Sequence, residues 1–167
     1  MRSLYTFALL CIVSIVLCAC PYKSAVGIDD KAGIPIQPQL LGTWRAADYP
    51  TDSTEIIFTK QDKFQYQVRA NVKDGNGGYE LSRYRVWYSK VNNSTILSFY
   101  QLAEHVYYFA EASVADGKLS IKFLSEDITS EQFTTTAAMR KFIEGIYRKG
   151  TAQYDTDVEL DDLIKAE

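Results

Sequence analysis

Apolar and polar residues alternate with a period of two along most of this chain. In the clearest run, "FQYQVRANV", Phe64, Tyr66 and Val68 alternate with Gln65 and Gln67. Successive side chains of a β-strand point to opposite faces of a sheet, so the pattern predicts strands that bury one face and expose the other. We therefore expect an antiparallel sheet built around a single core.

Seven or eight strands of this kind are predicted, separated by short turns. The dipeptide Asp116-Gly117 is a strong hairpin signal, because both residues tolerate the positive φ of a two-residue turn. The last predicted strand carries Asp155, Asp157 and Glu159 in alternation, which is typical of an edge or half-exposed strand. In chain order the predicted strands are LLGTWRA, TEIIFTK, FQYQVRANV, YELSRYRVWYSKV, TILSFYQL, VYYFAEASV, KLSIKFL and AQYDTDVELDDLI.

The period lengthens in "TSEQFTTTAAMRKFIEGIYRKG", which predicts a helix before the last strand. Thr129 or Ser130 is its expected N-cap, and Gly150 is its expected end. The residues expected on its buried face are Phe133, Ala137 or Ala138, Phe142 and Ile146. The whole pattern predicts a mostly β fold, a small antiparallel up-and-down barrel with one C-terminal α-helix and a closing strand. The helix is expected to lie on the sheet or to plug one end of it.

The most apolar stretch of the chain is its N-terminus. The run from Leu4 to Leu17 has the length of a secretory signal core, whereas a membrane-spanning helix needs about 20 apolar residues. A proline-containing segment follows, and the alternation begins after it. The expected organisation is a signal peptide over residues 1–19, a tether over 20–38 that holds the domain clear of the bilayer, and a barrel domain over 39–167.

The tetrapeptide Leu17-Cys18-Ala19-Cys20 resembles the bacterial lipobox. The resemblance implies that the Cys20 thiol receives a diacylglycerol, that the signal is cut before it, and that the new amino group is acylated. It implies a lipoprotein of the bacterial cell envelope, and Pro21 in place of Asp implies sorting to the outer membrane. Several acyl chains anchor firmly, since each buried CH₂ contributes about 0.8 kcal/mol. A plain secretory signal and an uncleaved anchor are the alternatives.

Charge and composition exclude some classes of function. The formal net charge is −3, and no basic patch is present to neutralise phosphates, so we expect no nucleic acid partner. Aromatic residues make up 13% of the chain and include 12 tyrosines, which suit half-buried sheet surfaces and polar-lined pockets alike. Cys11 and Cys18 would leave with the signal, so the mature domain is expected to have neither a disulfide nor a cysteine metal ligand.

Gly42-Thr43-Trp44 in "LLGTWRA" resembles the Gly-x-Trp motif of lipocalin-like proteins. From about Leu40 the chain has that family's order of elements, and it is most similar to the small lipocalin-like lipoproteins of Bacteroidetes-type bacteria, a group of uncharacterised function. The resemblance implies that Trp44 closes the bottom of the barrel and that Gly42 permits close backbone approach. The family's Thr-Asp-Tyr motif is missing. The final strand has no arginine to stack on Trp44, and Arg148 is the candidate to reach it.

The sequence lacks the pattern of a catalytic or metal centre. Hydrolytic triads need a histidine beside a nucleophile, and the only histidine, His105, falls at a predicted turn with no identifiable nucleophile. The acids of the last strand lack the spacing of a calcium loop, so a solvated face is the preferred interpretation. We predict no catalytic residue, no metal site and no cofactor, and a protein that is not an enzyme.

A ligand site depends on which face of one strand is interior. Arg83, Arg85 and Trp87 share a face and, if that face is interior, suit a ligand with an acid head and an apolar body. The opposite face is preferred as the interior because its residues are apolar. That face carries Tyr84, Val86 and Tyr88.

Two functions therefore stay open. In the first, a lipid-anchored barrel binds a small apolar or amphipathic ligand, which requires a cavity. In the second, a packed barrel presents loops or an edge strand to another envelope protein and acts as a non-catalytic interaction module. The expected partners are the membrane, through the N-terminal lipid, and either a small hydrophobic ligand or an envelope protein.

Overall fold

The computed structural model describes residues 20–46, 55–73, 79–156 and 160–166. The expected signal peptide, residues 1–19, lies outside the described residues. Eight antiparallel strands form a closed up-and-down barrel, which confirms the predicted fold class. Within these ranges, no helix is both long and apolar enough to cross a bilayer.

Each strand pairs with its neighbours in chain order, and the last strand pairs with the first. The strands are β1 (Gly42–Arg45), β2 (Glu55–Lys60), β3 (Tyr66–Lys73), β4 (Tyr79–Val91), β5 (Ser94–Gln101), β6 (Val106–Ala115), β7 (Lys118–Phe123) and β8 (Leu160–Lys165). The predicted hairpin lies between β6 and β7, where Asp116 and Gly117 have φ of 52° and 76°. The single α-helix of the described residues is α1 (Thr136–Lys149).

The last strand is shorter and better paired than its sequence predicts. It begins at Leu160 and hydrogen-bonds to β7 on one side and β1 on the other, so it is not an edge strand. Asp155 lies before it and is buried, with its amide donating to the Phe123 carbonyl at 2.9 Å. Asp157 and Glu159 lie outside the described residues. The expected solvated acidic face is therefore wrong at Asp155.

Helix α1 also begins later than predicted. Its N-cap is Thr135, whose hydroxyl accepts a hydrogen bond from the Ala138 amide, rather than Thr129 or Ser130. The β-branched threonines that precede it disfavour helix, and a threonine at the cap is more stable than one inside. The end is as predicted, since Gly150 has φ of 66° and donates to the Tyr147 carbonyl at 3.3 Å.

The buried face of α1 agrees with the prediction at Ile146 and at the partly buried Phe142, and it differs in the first turn of the helix. Its buried residues are Met139, Ile143 and Ile146, whereas Ala137 and Ala138, expected on that face, are exposed. The helix lies on the outer wall of the barrel, where its apolar face joins a cluster that includes Val91, Ile96 and Phe109. The helix does not plug the end of the barrel.

The N-terminal segment, residues 20–38, was expected to be a free tether, and this expectation is wrong. The Tyr22 amide donates to the Leu124 carbonyl at 2.7 Å, and Ser24 and Tyr107 exchange backbone hydrogen bonds of 3.0 and 2.8 Å. Tyr22 and Ile28 are buried against the outer wall. Burial of these apolar side chains outweighs the flexibility that proline and glycine suggest.

One end of the barrel is closed by the chain that enters it. The Trp44 Nε1 donates to the Leu40 carbonyl at 2.9 Å, and both residues are buried. The Tyr66 hydroxyl accepts from the Gln37 amide at 2.6 Å and donates to the Gln37 carbonyl at 3.0 Å. The Lys165 ammonium lies 5.5 Å from the centre of the Trp44 ring. A cation of the final strand therefore stacks on Trp44.

The cation on Trp44 corrects a sequence-based expectation. Arg148, the expected candidate, is exposed in the last turn of α1 on the outside of the barrel, and Lys165 takes the position instead. The close approach at Gly42 involves the same lysine. Gly42 has φ of 127°, and a Cβ there would lie 2.6 Å from Lys165 Cε.

We predict that Gly42→Ala lowers the free energy of unfolding by about 1–3 kcal/mol, because the substitution combines a strained φ with a steric contact. Gly145→Ala is the matched control. Gly145 lies inside α1, and nothing lies within 4 Å of its added Cβ, so this variant should gain about 0.5–1 kcal/mol. Urea denaturation measures both, and equal shifts of the two variants would contradict the account of Gly42.

Candidate functional site

Within the part of the chain that the structure describes, side chains fill the interior of the barrel at the end closed by Trp44 and leave it hollow toward the other end. A cavity of about 330 Å³ opens at the end where β5 turns into β6. We call this end the mouth, and it is defined by Cys20, Lys23, Gln101, Glu104 and Tyr108. The structure therefore contains the cavity that a ligand-binding function requires.

The hollow lies beside a pair of small side chains in β3 and β4. The inward pairs across these strands include Tyr66 with Val86, Val68 with Tyr84 and, closer to the mouth, Ala70 with Ser82. Large side chains fill the closed half, where the rings of Phe58 and Tyr66 meet edge to face at 5.6 Å and those of Tyr66 and Tyr88 at 6.1 Å. Because Ala70 and Ser82 are small, their side chains do not fill the interior beside them.

One wall of the cavity is aromatic. Tyr84 meets Phe99 at 5.8 Å and Tyr108 at 6.4 Å between ring centres, both edge to face, and Phe123 lies 5.1 Å from Phe99. Mutual contacts of this kind hold the rings in place and keep the cavity shape defined. Aliphatic side chains, Val68 and Ile121 among them, complete the lining of the cavity.

Polar groups of the cavity gather near its mouth. The Tyr108 hydroxyl donates to Gln101 Oε1 at 3.2 Å, and Gln101 Nε2 donates to Ser82 Oγ at 3.4 Å. Burial raises the pKa of the Tyr108 hydroxyl, so this group stays protonated and able to donate. A molecule with an apolar body and one polar end matches this distribution of side chains.

An ion pair lies at the rim. Lys23 Nζ is 3.2 Å from Glu104 Oε2 and 6.0 Å from the centre of the Tyr108 ring. The hydrogen bond to Glu104 raises the pKa of the Lys23 ammonium, which stays charged. Beside it, Cys20 is exposed, and its carbonyl accepts from the Glu126 amide at 2.8 Å. The cysteine expected to carry lipid is thus part of the mouth.

The predicted ligand residues lie outside the barrel. Arg83 and Arg85 are exposed on the outer face of β4, and Trp87 is buried on the same outer face with its ring 5.9 Å from that of Tyr107. None of the three lines the cavity. A ligand role for these residues required that they face the interior. In the structure the residues that alternate with them along β4 face the interior instead. The preferred interior set, Tyr84, Val86 and Tyr88, belongs to the core.

The remaining polar candidates are dispersed. His105 lies in the turn between β5 and β6 with φ of 58°, and its Nδ1 is 2.8 Å from the Tyr100 hydroxyl. Asp161 and Asp162 are exposed on β8. Over the described ranges, no group of three or more His, Cys, Asp and Glu side chains is arranged to hold a metal ion.

Sequence reasoning missed most of the residues that form the cavity. The signal was present in the small inward residues Ala70 and Ser82, which stand among large ones. It becomes readable only when the register pairs them across β3 and β4. Lys23 was not predicted to line the cavity, because residues 20–38 were expected to form a tether.

No family model matches the chain, and neither a curated protein nor a solved structure does. The cavity lies at the lower end of the range of about 300–1,000 Å³ that small-molecule sites occupy. Its mostly apolar lining with a few convergent polar groups is the composition that such sites share. The arrangement can hold a small molecule and orient its polar end toward solvent.

A comparison of the two tryptophans tests the hydrogen bond between Trp44 and Leu40 that closes one end of the barrel. Trp44 Nε1 has a hydrogen-bond acceptor, whereas the buried Nε1 of Trp87 has no partner within the described part of the chain. Trp44→Phe should lower the free energy of unfolding by about 1–3 kcal/mol, because the buried Leu40 carbonyl loses its donor. Trp87→Phe should change it by less than about 1 kcal/mol, since it removes an unsatisfied donor. Urea denaturation of both variants checks this order, and an equal loss would contradict it.

Proposed function

We propose that this protein is a lipid-anchored envelope lipoprotein whose lipocalin-like barrel binds a small apolar or amphipathic molecule. The observation that carries the proposal is the open cavity of about 330 Å³ with apolar walls and a polar mouth. The resemblance of Leu17 to Cys20 to a lipobox supports the anchor, and that of Gly42 to Trp44 to the Gly-x-Trp motif supports the lipocalin-like character.

The energetics of the cavity favour an amphipathic ligand. Each Å² of apolar surface that a ligand removes from water contributes about 25 cal/mol, and the aromatic and aliphatic walls both offer such surface. A polar end placed at the mouth stays near Gln101 and Tyr108 instead of being desolvated without a partner. A ligand with a polar group in its middle would bury that group against Phe99 and Ile121 and would be disfavoured.

The alternative function, a packed barrel that presents loops or an edge strand to an envelope protein, has less support. Strands β1 and β8, at the two ends of the strand order, pair with each other at Trp44–Lys165 and Arg45–Ile164, so neither is an open edge at these positions. The interior is not packed throughout. Both observations favour ligand binding over edge-strand recognition.

A cavity-filling substitution tests the binding proposal. Ala70 lines the cavity, whereas Ala137 is exposed on α1, so Ala70→Phe fills the site and Ala137→Phe adds the same ring on the outside. Native mass spectrometry of the full chain, extracted gently from its own membrane, measures any non-covalent mass on the protein. We expect this mass on wild type and on Ala137→Phe, and a reduction of about tenfold in occupancy on Ala70→Phe. A clean protein mass in all three samples would contradict ligand binding and return attention to protein partners.

Two neighbouring cysteines test the anchor. Cells that express the full chain are labelled with palmitate, and the protein is followed in the membrane fraction. Cys20→Ser should abolish the label, because the acylated residue is removed, whereas Cys18→Ser should retain it, because residue 18 leaves with the signal. Label that persists in Cys20→Ser would overturn the proposed anchor site.

A further inference from the structure

The expected lipid attachment residue is fixed to the mouth of the cavity. Cys20 and Pro21 both contribute to the mouth, and the Cys20 carbonyl accepts from the Glu126 amide at 2.8 Å. Pro21 forms an isolated β-bridge with Ser125, and the next residue is buried. The chain therefore has no slack between Cys20 and the barrel.

Because Cys20 lies directly against the barrel, its acylation would determine where the mouth lies. A free segment extends by up to about 3.3–3.6 Å per residue, so a tether of the expected length would separate the barrel from the bilayer. Here the segment lies against the barrel from Cys20 onward. The acyl chains would leave the protein at the mouth, and the mouth would lie at the membrane surface.

A second observation at the same end points to a lipid surface. Leu81 is 58% exposed near the start of β4, at the mouth end of the barrel. Its neighbour Arg83 is exposed and lies directly opposite the exposed Arg69 of β3. Like charges opposite one another destabilise a sheet, and anionic headgroups would relieve that cost. Lys23, which is paired with Glu104, lies at the rim of the same end.

The interior of the cavity matches an acyl chain. Its polar side chains, Ser82, Gln101 and Tyr108, are gathered near the mouth, while Val68 and Ile121 lie deeper and are apolar. A hydrocarbon chain needs no polar partner along its length, and its polar attachment point would remain at the rim. The chain would pass from the bilayer to the cavity without crossing bulk water.

From these placements we infer that the cavity receives a long acyl chain inserted methyl end first past Cys20. The inference rests on the proposed function and names its ligand class. The acyl chain comes either from the protein's own anchor or from a lipid of the bilayer, and the chemistry of the cavity is the same for both. The headgroup of an anionic bilayer lipid would in addition replace Glu104 as the ion-pair partner of Lys23.

The test uses photocrosslinking of the full chain in its own membrane. Cells take up a fatty acid that carries a diazirine near its methyl end, so both the protein anchor and the phospholipids are labelled. After irradiation, mass spectrometry of peptides locates the adducts. We expect adducts on cavity residues such as Val68, Phe99 and Ile121. A peptide joined to the Cys20 peptide identifies the anchor as the source, and an adduct with the mass of a phospholipid identifies the bilayer.

Two variants control the result. Ala70→Phe should reduce the cavity adducts by about tenfold, whereas Ala137→Phe should leave them unchanged. Adducts on Leu81 should persist in both variants, which shows that each is folded and seated on the membrane. Equal cavity adducts in both variants would overturn the inference, because the label would then not depend on cavity space.

The same samples separate this inference from the proposed function. An acylated Cys20 together with cavity residues that carry no adduct would overturn the acyl inference alone, and a retained non-acyl mass would leave ligand binding intact. An unmodified Cys20 would overturn the anchor and, with it, delivery past Cys20. Adducts restricted to outer residues such as Leu81 would show membrane contact without cavity occupancy and would also overturn the inference.

Discussion

Pairing of β8 with β1 divides the chain into an inside and an outside. The seam is short, with Trp44 opposite Lys165 and Arg45 opposite Ile164. Contacts next to it reinforce the closure, because the Lys165 ammonium lies on the Trp44 ring and the Ala166 amide donates to the Thr43 carbonyl at 2.8 Å. Closure pairs part of the backbone of both terminal strands and places the inward side chains in one enclosed volume. The cavity exists because the side chains assigned to that volume do not fill it.

The unequal filling gives the barrel two different ends. At one end the entering chain, Leu40 and Trp44, closes the interior, and the rings of Tyr66 and Tyr88 above them meet edge to face. At the other end Ala70 faces Ser82, and the space beside them stays open. A loss of stability is inherent in an unfilled interior, since its lining atoms lack contacts on one side. A ligand in the cavity would restore those contacts, and its binding would then stabilise the fold.

The sequence alone predicts which residues of each strand face inward, but it does not predict the register between paired strands. Period-two alternation was sufficient to place the strands and to choose Tyr84, Val86 and Tyr88 as the inward face of β4, because both depend on one strand at a time. The cavity depends on pairs such as Ala70 and Ser82, and the cation on Trp44 depends on the pairing of β8 with β1. Neither can be read without the strand pairing. The helix start at Thr135 was missed because several threonines in succession offer equivalent caps.

The N-terminal segment was misjudged for a different reason, and its position changes what an anchor at Cys20 would do. Proline and glycine content suggested a tether, yet Tyr22 and Ile28 complete an apolar cluster that neither the outer wall nor α1 can bury alone. Arg140 of α1 secures the same segment by pairing with Asp29 and donating to the Lys90 carbonyl of β4 at 2.9 Å. A flexible tether would let the cavity face any direction. Because this segment is held at both the mouth and the helix, the cavity has a fixed position relative to Cys20, the first residue of the segment. An anchor at Cys20 would therefore set the direction in which the mouth faces.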